Sequence, residues 1–369
     1  MNDLLFISTN AYNSLPTRKQ RFANYLNKTG FRLLFVEPPY TYLALLKKGK
    51  SVLNYSQKNI IEGVDNNFYI LHSFAWLPFF KKSKNLNQID NYIFLKYLKE
   101  AFKRINFKPM IIWNYMPFLP TALKQIESKK IYDCVDDHSA YPGLINPDFV
   151  NELEGRTVEL SDLIITTNKK LKEKISKYGK NAIIINNGVD WNLFSSNLFN
   201  NKIDIKKKII YIGAISEWFD SELVEYIAEK LQDYKITLIG PHSINIANFK
   251  KYKNINLTGI MMQEDFSNIL SESAVAIIPF RINRLTENVD PLKVYEYLAA
   301  GIPVVSTPIG GVENLPVLVA SNKEDFLIKI KEALNNDSIE KRRERSEKVR
   351  SFSWETRYKM IQEILDKLQ

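Results

Sequence analysis

Lys293 and Glu296 stand three residues apart in the stretch ENVDPLKVYEYLAAGIPVVSTPIGG, Glu287 to Gly311. On a helix that spacing puts both side chains on one face. Asp290 has the side chain of an N-cap, and Pro291 suits a first helical position because its missing N–H would be unpaired there anyway. A helix is therefore predicted from Pro291, stopping at Gly301. Lys293 falls in its first turn, where the dipole disfavours a cation unless an anion binds beside it. A diphosphate is such an anion, and a carboxylate one turn on can accept from both hydroxyls of a ribose. The pair spells a site for a nucleoside diphosphate. Without its surroundings it would be a solvated face worth about 0.2–0.5 kcal/mol.

Asp136, Asp137 and His138 form a second cluster, directly after the apolar run KIYDCV. Carboxylates at a strand end can take the proton from an acceptor hydroxyl, and mutual repulsion raises the pKa of one of them towards that of a useful base. Asp136 and Asp137 are the candidates, with His138 completing the catalytic set. Neighbours on a strand point to opposite faces, so one aspartate is expected to face the site while the other caps a loop. The D-x-x-D-D spacing is not that of a metal-held phosphate, the three histidines are scattered, and the single cysteine, Cys134, rules out both an intramolecular disulfide and a zinc cluster. Lys293 and the helix N-terminus could stabilise a leaving diphosphate electrostatically.

The elements that would position these residues alternate from end to end. Apolar runs at 4–8, 32–37, 68–73, 110–115, 130–135 and 163–168 read as one set of strands. Those at 208–214, 235–240, 255–259, 274–280 and 303–308 read as another, with amphipathic helices such as SELVEYIAEKL between them. This is an α/β pattern, and 369 residues suffice for two domains. The Asn-rich stretch from Ser195 to Lys208 reads as the linker, giving an N-terminal domain over 1–190, a C-terminal domain over 205–350, and a final amphipathic helix over 351–369 with Trp354, Tyr358, Ile361 and Leu365 along one face.

A formal charge of +10 suggests an anionic partner, whether nucleotide, nucleic acid or the inner membrane leaflet. No run approaches the length of a membrane span, and the opening MNDLLFIS reads as a strand and not as a signal peptide. The expected location is the cytoplasm, including the inner face of the plasma membrane. Basic and aromatic residues cluster in Tyr40 to Lys50 and in Phe74 to Lys84, where an apolar face ringed by lysines would touch lipid.

The stretch Pro291 to Gly301, followed by Pro303-Val304-Val305, closely resembles the donor motif of GT-B glycosyltransferases in the glycogen-synthase-like superfamily. The resemblance implies two Rossmann-like domains facing each other across a cleft, with a C-terminal helix packing back. It implies a nucleoside diphosphate sugar as co-substrate, UDP first, with no cofactor and no metal. It places Glu296 on the ribose and Lys293 on the β-phosphate. The first acidic position of the family's E-x7-E motif falls on Asn288, beside Glu287. Gly213, in Tyr211-Ile212-Gly213-Ala214-Ile215, resembles the small-residue loop facing the donor phosphates, where glycine lets backbone approach a ligand. Arg281 would emerge at a strand's C-terminal edge, where open α/β sheets bind ligands, and Gly310-Gly311 would turn near the same pocket.

The opening, including Asn10 to Gln20, resembles a bacterial subgroup that makes cell-envelope polysaccharides, among them teichuronic-acid-type transferases. It assigns Arg18 and Gln20 to the acceptor side and a glycan or lipid-linked glycan as acceptor. The rival readings are weaker. A dehydrogenase needs a glycine-rich turn that LLFISTNAYNS lacks, and nucleic-acid binding has only net charge in its favour. An epimerase or hydrolase on the same scaffold, or a binding protein without transfer activity, would keep the nucleotide site but need no acceptor.

Overall fold

A computed structural model describes residues 2–39, 61–72, 76–200 and 204–368, with the side chain of Glu264 left aside. It divides into two compact units, Met1–Ile185 with Ile364–Gln369, and Asn186–Glu363.

The first unit is built on strands β1 (Asn2–Ile7), β2 (Phe31–Val36), β3 (Ile61–Asp65), β4 (Phe68–Leu71), β5 (Ile111–Asn114), β6 (Lys129–Cys134), β7 (Leu163–Thr166) and β8 (Ile183–Ile184). Their order in the sheet is β3-β4-β2-β1-β5-β6-β7-β8, and only the edge pair β3–β4 is antiparallel. Leu4 to Ile7 and Leu33 to Phe35 are wholly buried, as expected of parallel strands covered on both faces. The order turns at β1, with β2 on one side and β5 on the other. Chain leaving the C-terminal ends of such strands diverges and leaves a crevice. Asp136 to His138 follow the end of β6, at this edge.

The second unit holds β9 (Lys206–Ile212), β10 (Lys235–Ile239), β11 (Ile255–Gly259), β12 (Ser273–Ile278), β13 (Val304–Ser306) and β14 (Val317–Val319), all parallel, in the order β11-β10-β9-β12-β13-β14. Counted from β9 this is 3-2-1-4-5-6, the doubly wound order whose ligand crevice lies between the first and fourth strands. Gly213 follows β9 and Arg281 lies just beyond β12, on the two sides of that crevice.

Three short strands, β3, β8 and β14, escaped the reading of the sequence because none carries an apolar run long enough to stand out. The linker reading needs correction. Trp191–Phe199 is a helix with Phe194, Ser195 and Leu198 buried, its Asp190 side chain capping Leu193 N–H, so the first half of the Asn-rich stretch belongs to the core of the second unit. The division falls at Ile185/Asn186, ahead of the expected boundaries at 190 and 205. The final helix runs Trp354–Leu368, and its last residues, from Ile364, group with the first unit. Trp354, Ile361 and Leu365 are buried as their spacing predicts. Gly188 shows why the chain is small there, since a Cβ would lie 2.7 Å from the Trp354 ring.

Candidate functional site

The helix carrying Lys293 and Glu296 spans Leu292–Ala299. It ends in a Schellman motif, with Gly301 at φ +78° and Ile302 N–H bonded to the Tyr297 carbonyl at 3.0 Å. Its start departs from expectation. Pro291 occupies the N-cap position itself and Asp290 does not cap. Asp290 is drawn away by partners that spacing could not reveal: its carboxylate accepts from Tyr295 Oη at 2.7 Å and from Asn187 N–H at 2.7 Å, and its carbonyl accepts from Asn187 Nδ2 at 2.6 Å. The N-cap residue Pro291 thus makes no side-chain cap hydrogen bond to the first N–H groups of the helix, and a helix N-terminus is where the dipole and the backbone donors favour an anion.

Lys293 Nζ lies 2.6 Å from Glu296 Oε2 and 4.5 Å from the centroid of the Phe266 ring. Glu296 is 5% exposed, and its other oxygen accepts from Gln263 Nε2 at 2.8 Å. A carboxylate has about four lone-pair sites and an ammonium three donors, so both keep capacity for a ligand. Tyr297, one residue on, ties the helix to β9 by donating to neighbouring backbone and accepting from Ile212 N–H at 2.7 Å, immediately before Gly213. A Cβ on Gly240, after β10, would stand 2.1 Å from the Gly213 carbonyl, so the two loops touch backbone to backbone. Gly310 packs in the same way, its built Cβ 2.4 Å from the Glu287 carbonyl. Arg281 is exposed, with its Nε near the Phe219 carbonyl at 3.4 Å and its guanidinium 4.0 Å from Glu222. Asn288 donates to the Arg284 carbonyl at 2.7 Å.

In the first unit Asp136 and Asp137 have separate fates. Asp137 caps the short turn His138–Ala140 through Ser139 N–H at 3.1 Å and Oγ at 2.6 Å, and pairs with Lys174 Nζ at 2.7 Å. Lys174 in turn pairs with buried Glu154 at 2.5 Å, which also accepts from Tyr132 Oη at 2.8 Å. Asp137 is thus a structural carboxylate and not a free base. Asp136 enters no ion pair within 4 Å among the described residues; burial pushes its carboxyl above the usual aspartate range, partly offset by Lys19. His138 is 7% exposed, and burial followed by the charges of Lys81, Lys19 and Lys174 pushes its imidazole down to about 3. It is neutral at pH 7, and its Nε2 has no hydrogen-bond partner among the described residues.

The side chains of Arg18 and Gln20 are engaged within the protein. Arg18 is 2% exposed; its Nε and Nη2 meet Asp133 at 3.1 and 3.2 Å, and its Nη1 donates to the Ile185 carbonyl at 2.7 Å. Gln20 completes a capping box with Thr17 and donates to the Ala11 carbonyl and Ser14 Oγ, both at 2.8 Å, so it shapes the loop before its helix. The residue between them, Lys19, lines a cavity of about 280 Å³ together with Thr9, Trp76, Lys81, Asp136 and His138. Sequence reading missed Lys19 and Lys81 because nothing in their local spacing marks them; only the sheet order brings residues from after β1, β4, β5 and β6 together. A larger, open hollow lined by Asp3, Arg32 and Lys129 lies at the opposite, N-terminal edge of the strands, where Arg32 and Asp3 pair with each other at 2.7 Å.

Among the described residues no three His, Cys, Asp or Glu side chains gather where a metal ion could sit, and no helix is long and apolar enough to cross a membrane. Of the two stretches expected at lipid, Tyr40–Lys50 lies outside the described residues. In the other, of which Phe74 and Ala75 also lie outside the described residues, Trp76 and Phe80 are buried and Phe79 is exposed.

Known proteins give the same picture. Over 228 residues the chain is 25% identical to TuaH of Bacillus subtilis (strain 168), described as a teichuronic acid biosynthesis glycosyltransferase; the match covers 56% of this chain and about half of the relative, 55%. Sucrose-phosphate synthase from Thermosynechococcus elongatus superposes over 100% of this chain and 99% of its own, with TM-score 0.74 at 12% identity. Anabaena HepE, solved with UDP and glucose, covers 100% of both chains with TM-score 0.68 at 12% identity. Residues 206–336 match the family model Glycosyl transferases group 1, and the chain has the GT-B fold of these neighbours.

Proposed function

We propose that this protein transfers a sugar from a nucleoside diphosphate sugar to an acceptor hydroxyl, in the building of a cell-envelope polysaccharide. The observation that carries the reading is the helix N-terminus at Pro291 with Lys293 and Glu296 on its first two turns. The N–H groups and Lys293 would hold the diphosphate and stabilise it as it leaves, and Glu296 would take the ribose hydroxyls. UDP is the favoured nucleotide, because HepE was solved with UDP-glucose and an Escherichia coli trehalose-6-phosphate protein with UDP-2-fluoro glucose. The match to TuaH supports the envelope setting.

In the first unit Asp136 is the proposed base, the one of the three clustered candidates that is neither spent in an ion pair nor, like His138 with its pKa at about 3, made a weak proton acceptor. No metal is assigned to the reaction. Contact with an anionic membrane belongs to the same proposal: Ile89, Tyr92 and Ile93 lie exposed on one face of the helix Lys84–Arg104, with exposed Lys84 at its start and exposed Phe79 and Lys82 before it. Incubating the purified protein with radiolabelled UDP-sugars and envelope glycan acceptors tests the reading. Label moving to the acceptor, insensitive to EDTA, is expected; release of free sugar with every acceptor tried would point to a hydrolase instead. Sedimentation with anionic but not neutral vesicles is expected of the membrane contact, and no sedimentation with either contradicts it.

A further inference from the structure

The cavity beside Asp136 has a chemistry of its own. It opens at the C-terminal edge of the first sheet, where the order turns at β1, and its volume of about 280 Å³ is at the small end of ligand sites, which run from about 300 Å³ upward. That is room for one ring. Its walls are apolar and aromatic: Trp76, Phe80, Met116 and Phe118 are all at most 8% exposed, with Pro38 and Pro39 at the rim. Such faces suit the C–H faces of a pyranose.

The charges around it do not balance. Lys19 and Lys81 are the lining cations and Asp136 the lining carboxylate. Lys19 donates to Asn10 Oδ1 at 2.9 Å and feels Asp136. Lys81 has no carboxylate partner among the described residues; its ammonium lies 4.4 Å from the centroid of the Phe118 ring, and burial alone pulls its pKa down. Lys81 is half-buried against an aromatic face, and a cation partly withdrawn from water without an anion is costly unless something else neutralises it. The same positive field acts on His138, whose imidazole Lys81, Lys19 and Lys174 all help to keep neutral. Two further buried polar atoms in the walls, His138 Nε2 and Trp76 Nε1, have no hydrogen-bond partner among the described residues.

We propose that this cavity receives a sugar ring bearing an anionic group, a carboxylate or a phosphate, and that Lys81 and Lys19 select it. The ring would stack on the aromatic walls and its acidic group would supply the charge that Lys81 lacks. The inference rests on the transferase reading only in treating that ring as part of the acceptor; binding itself is independent of any nucleotide.

The test is saturation-transfer NMR and titration of the whole chain with glucuronate, glucose 6-phosphate and glucose, in the absence of nucleotide. An acidic sugar is expected to bind more tightly than glucose, and whichever acid wins identifies the group. Lys81→Gln is expected to weaken that acid by about tenfold or more and Lys81→Arg to restore much of it, because a charge-assisted bond is lost and then regained. UDP binding serves as the check that each variant is folded and that the second unit is intact. Glucose binding as well as either acid, no binding of any of the three to the wild type, or an unchanged affinity in Lys81→Gln would overturn the proposal. Acidic-sugar binding without any transfer from UDP-sugars would leave this site standing and sink the transferase reading.

Discussion

Lys293 Nζ and Glu296 Oε2 lie 2.6 Å apart on successive turns of one helix, a cation and an anion sharing the face that follows its N-terminus. The pair is partly open to solvent, so its value to folding is small. Glu296→Gln and Lys293→Ala are each expected to cost under about 1 kcal/mol in urea denaturation. A loss several times larger would mean that the pair is a structural bridge rather than a site kept for a ligand.

Asp136→Asn should abolish most transfer, lowering kcat by roughly 10²–10⁴ if it is the base, while leaving nucleotide binding as it was. Burial raises the carboxyl of Asp136, so activity should fall on the acid side at a pH above the ordinary aspartate value of about 3.9. A variant that keeps its turnover, or a wild-type profile flat down to pH ~4, would remove Asp136 from the mechanism.

Arg18 is expected to matter to folding and not to the acceptor. Removing it leaves Asp133 buried and unpaired, and Trp113 Nε1 at 3.2 Å cannot replace the lost charge. Arg18→Ala should lose about 3–5 kcal/mol of stability. Arg18→Lys, milder, should show an unchanged acceptor KM in the protein that remains folded; a raised KM would return Arg18 to the acceptor site.

Asp90 gives the fold a pH dependence. It is wholly buried, its Oδ1 accepts from Leu77 N–H at 3.1 Å, its Oδ2 has no partner among the described residues, and burial lifts its carboxyl to about 6. The folded value lies above the unfolded value of about 3.9, so the native state favours the protonated acid. That contribution is complete below pH ~4 and is lost as pH rises through 6. Asp90→Asn should raise Tm near pH 7.5 and give no gain near pH 4, as scanning calorimetry would show. Equal effects at both would mean that Asp90 does not titrate in this range.

What could be read from the sequence follows the range of the interaction. Strands such as Leu4–Ile7 and Ile209–Ile212 announce themselves because a parallel sheet buried on both faces needs unbroken apolar runs. Lys293 and Glu296 could be placed on one helix face because the relation is local, three residues apart. Asp290 looked like a cap for the same local reason, and only Asn187, 103 residues away, shows what it binds. Arg18 and Asp133 are separated by 115 residues, and the cavity joins Lys19 to Lys81 and His138 through sheet order alone. The Asn-rich stretch misled because composition suggested a linker where Phe194 and Leu198 supply a buried helix face.

The central claim is that the second unit holds a nucleoside diphosphate through Lys293 and Glu296, and calorimetric titration of UDP into the wild type, Lys293→Ala and Glu296→Ala tests it most directly. The account predicts one saturable site in the wild type, weakened roughly ten- to hundredfold in each variant, in keeping with the loss of a charge-assisted contact. Binding of equal strength in all three proteins, or no binding of UDP or any other nucleoside diphosphate to the wild type, would contradict it.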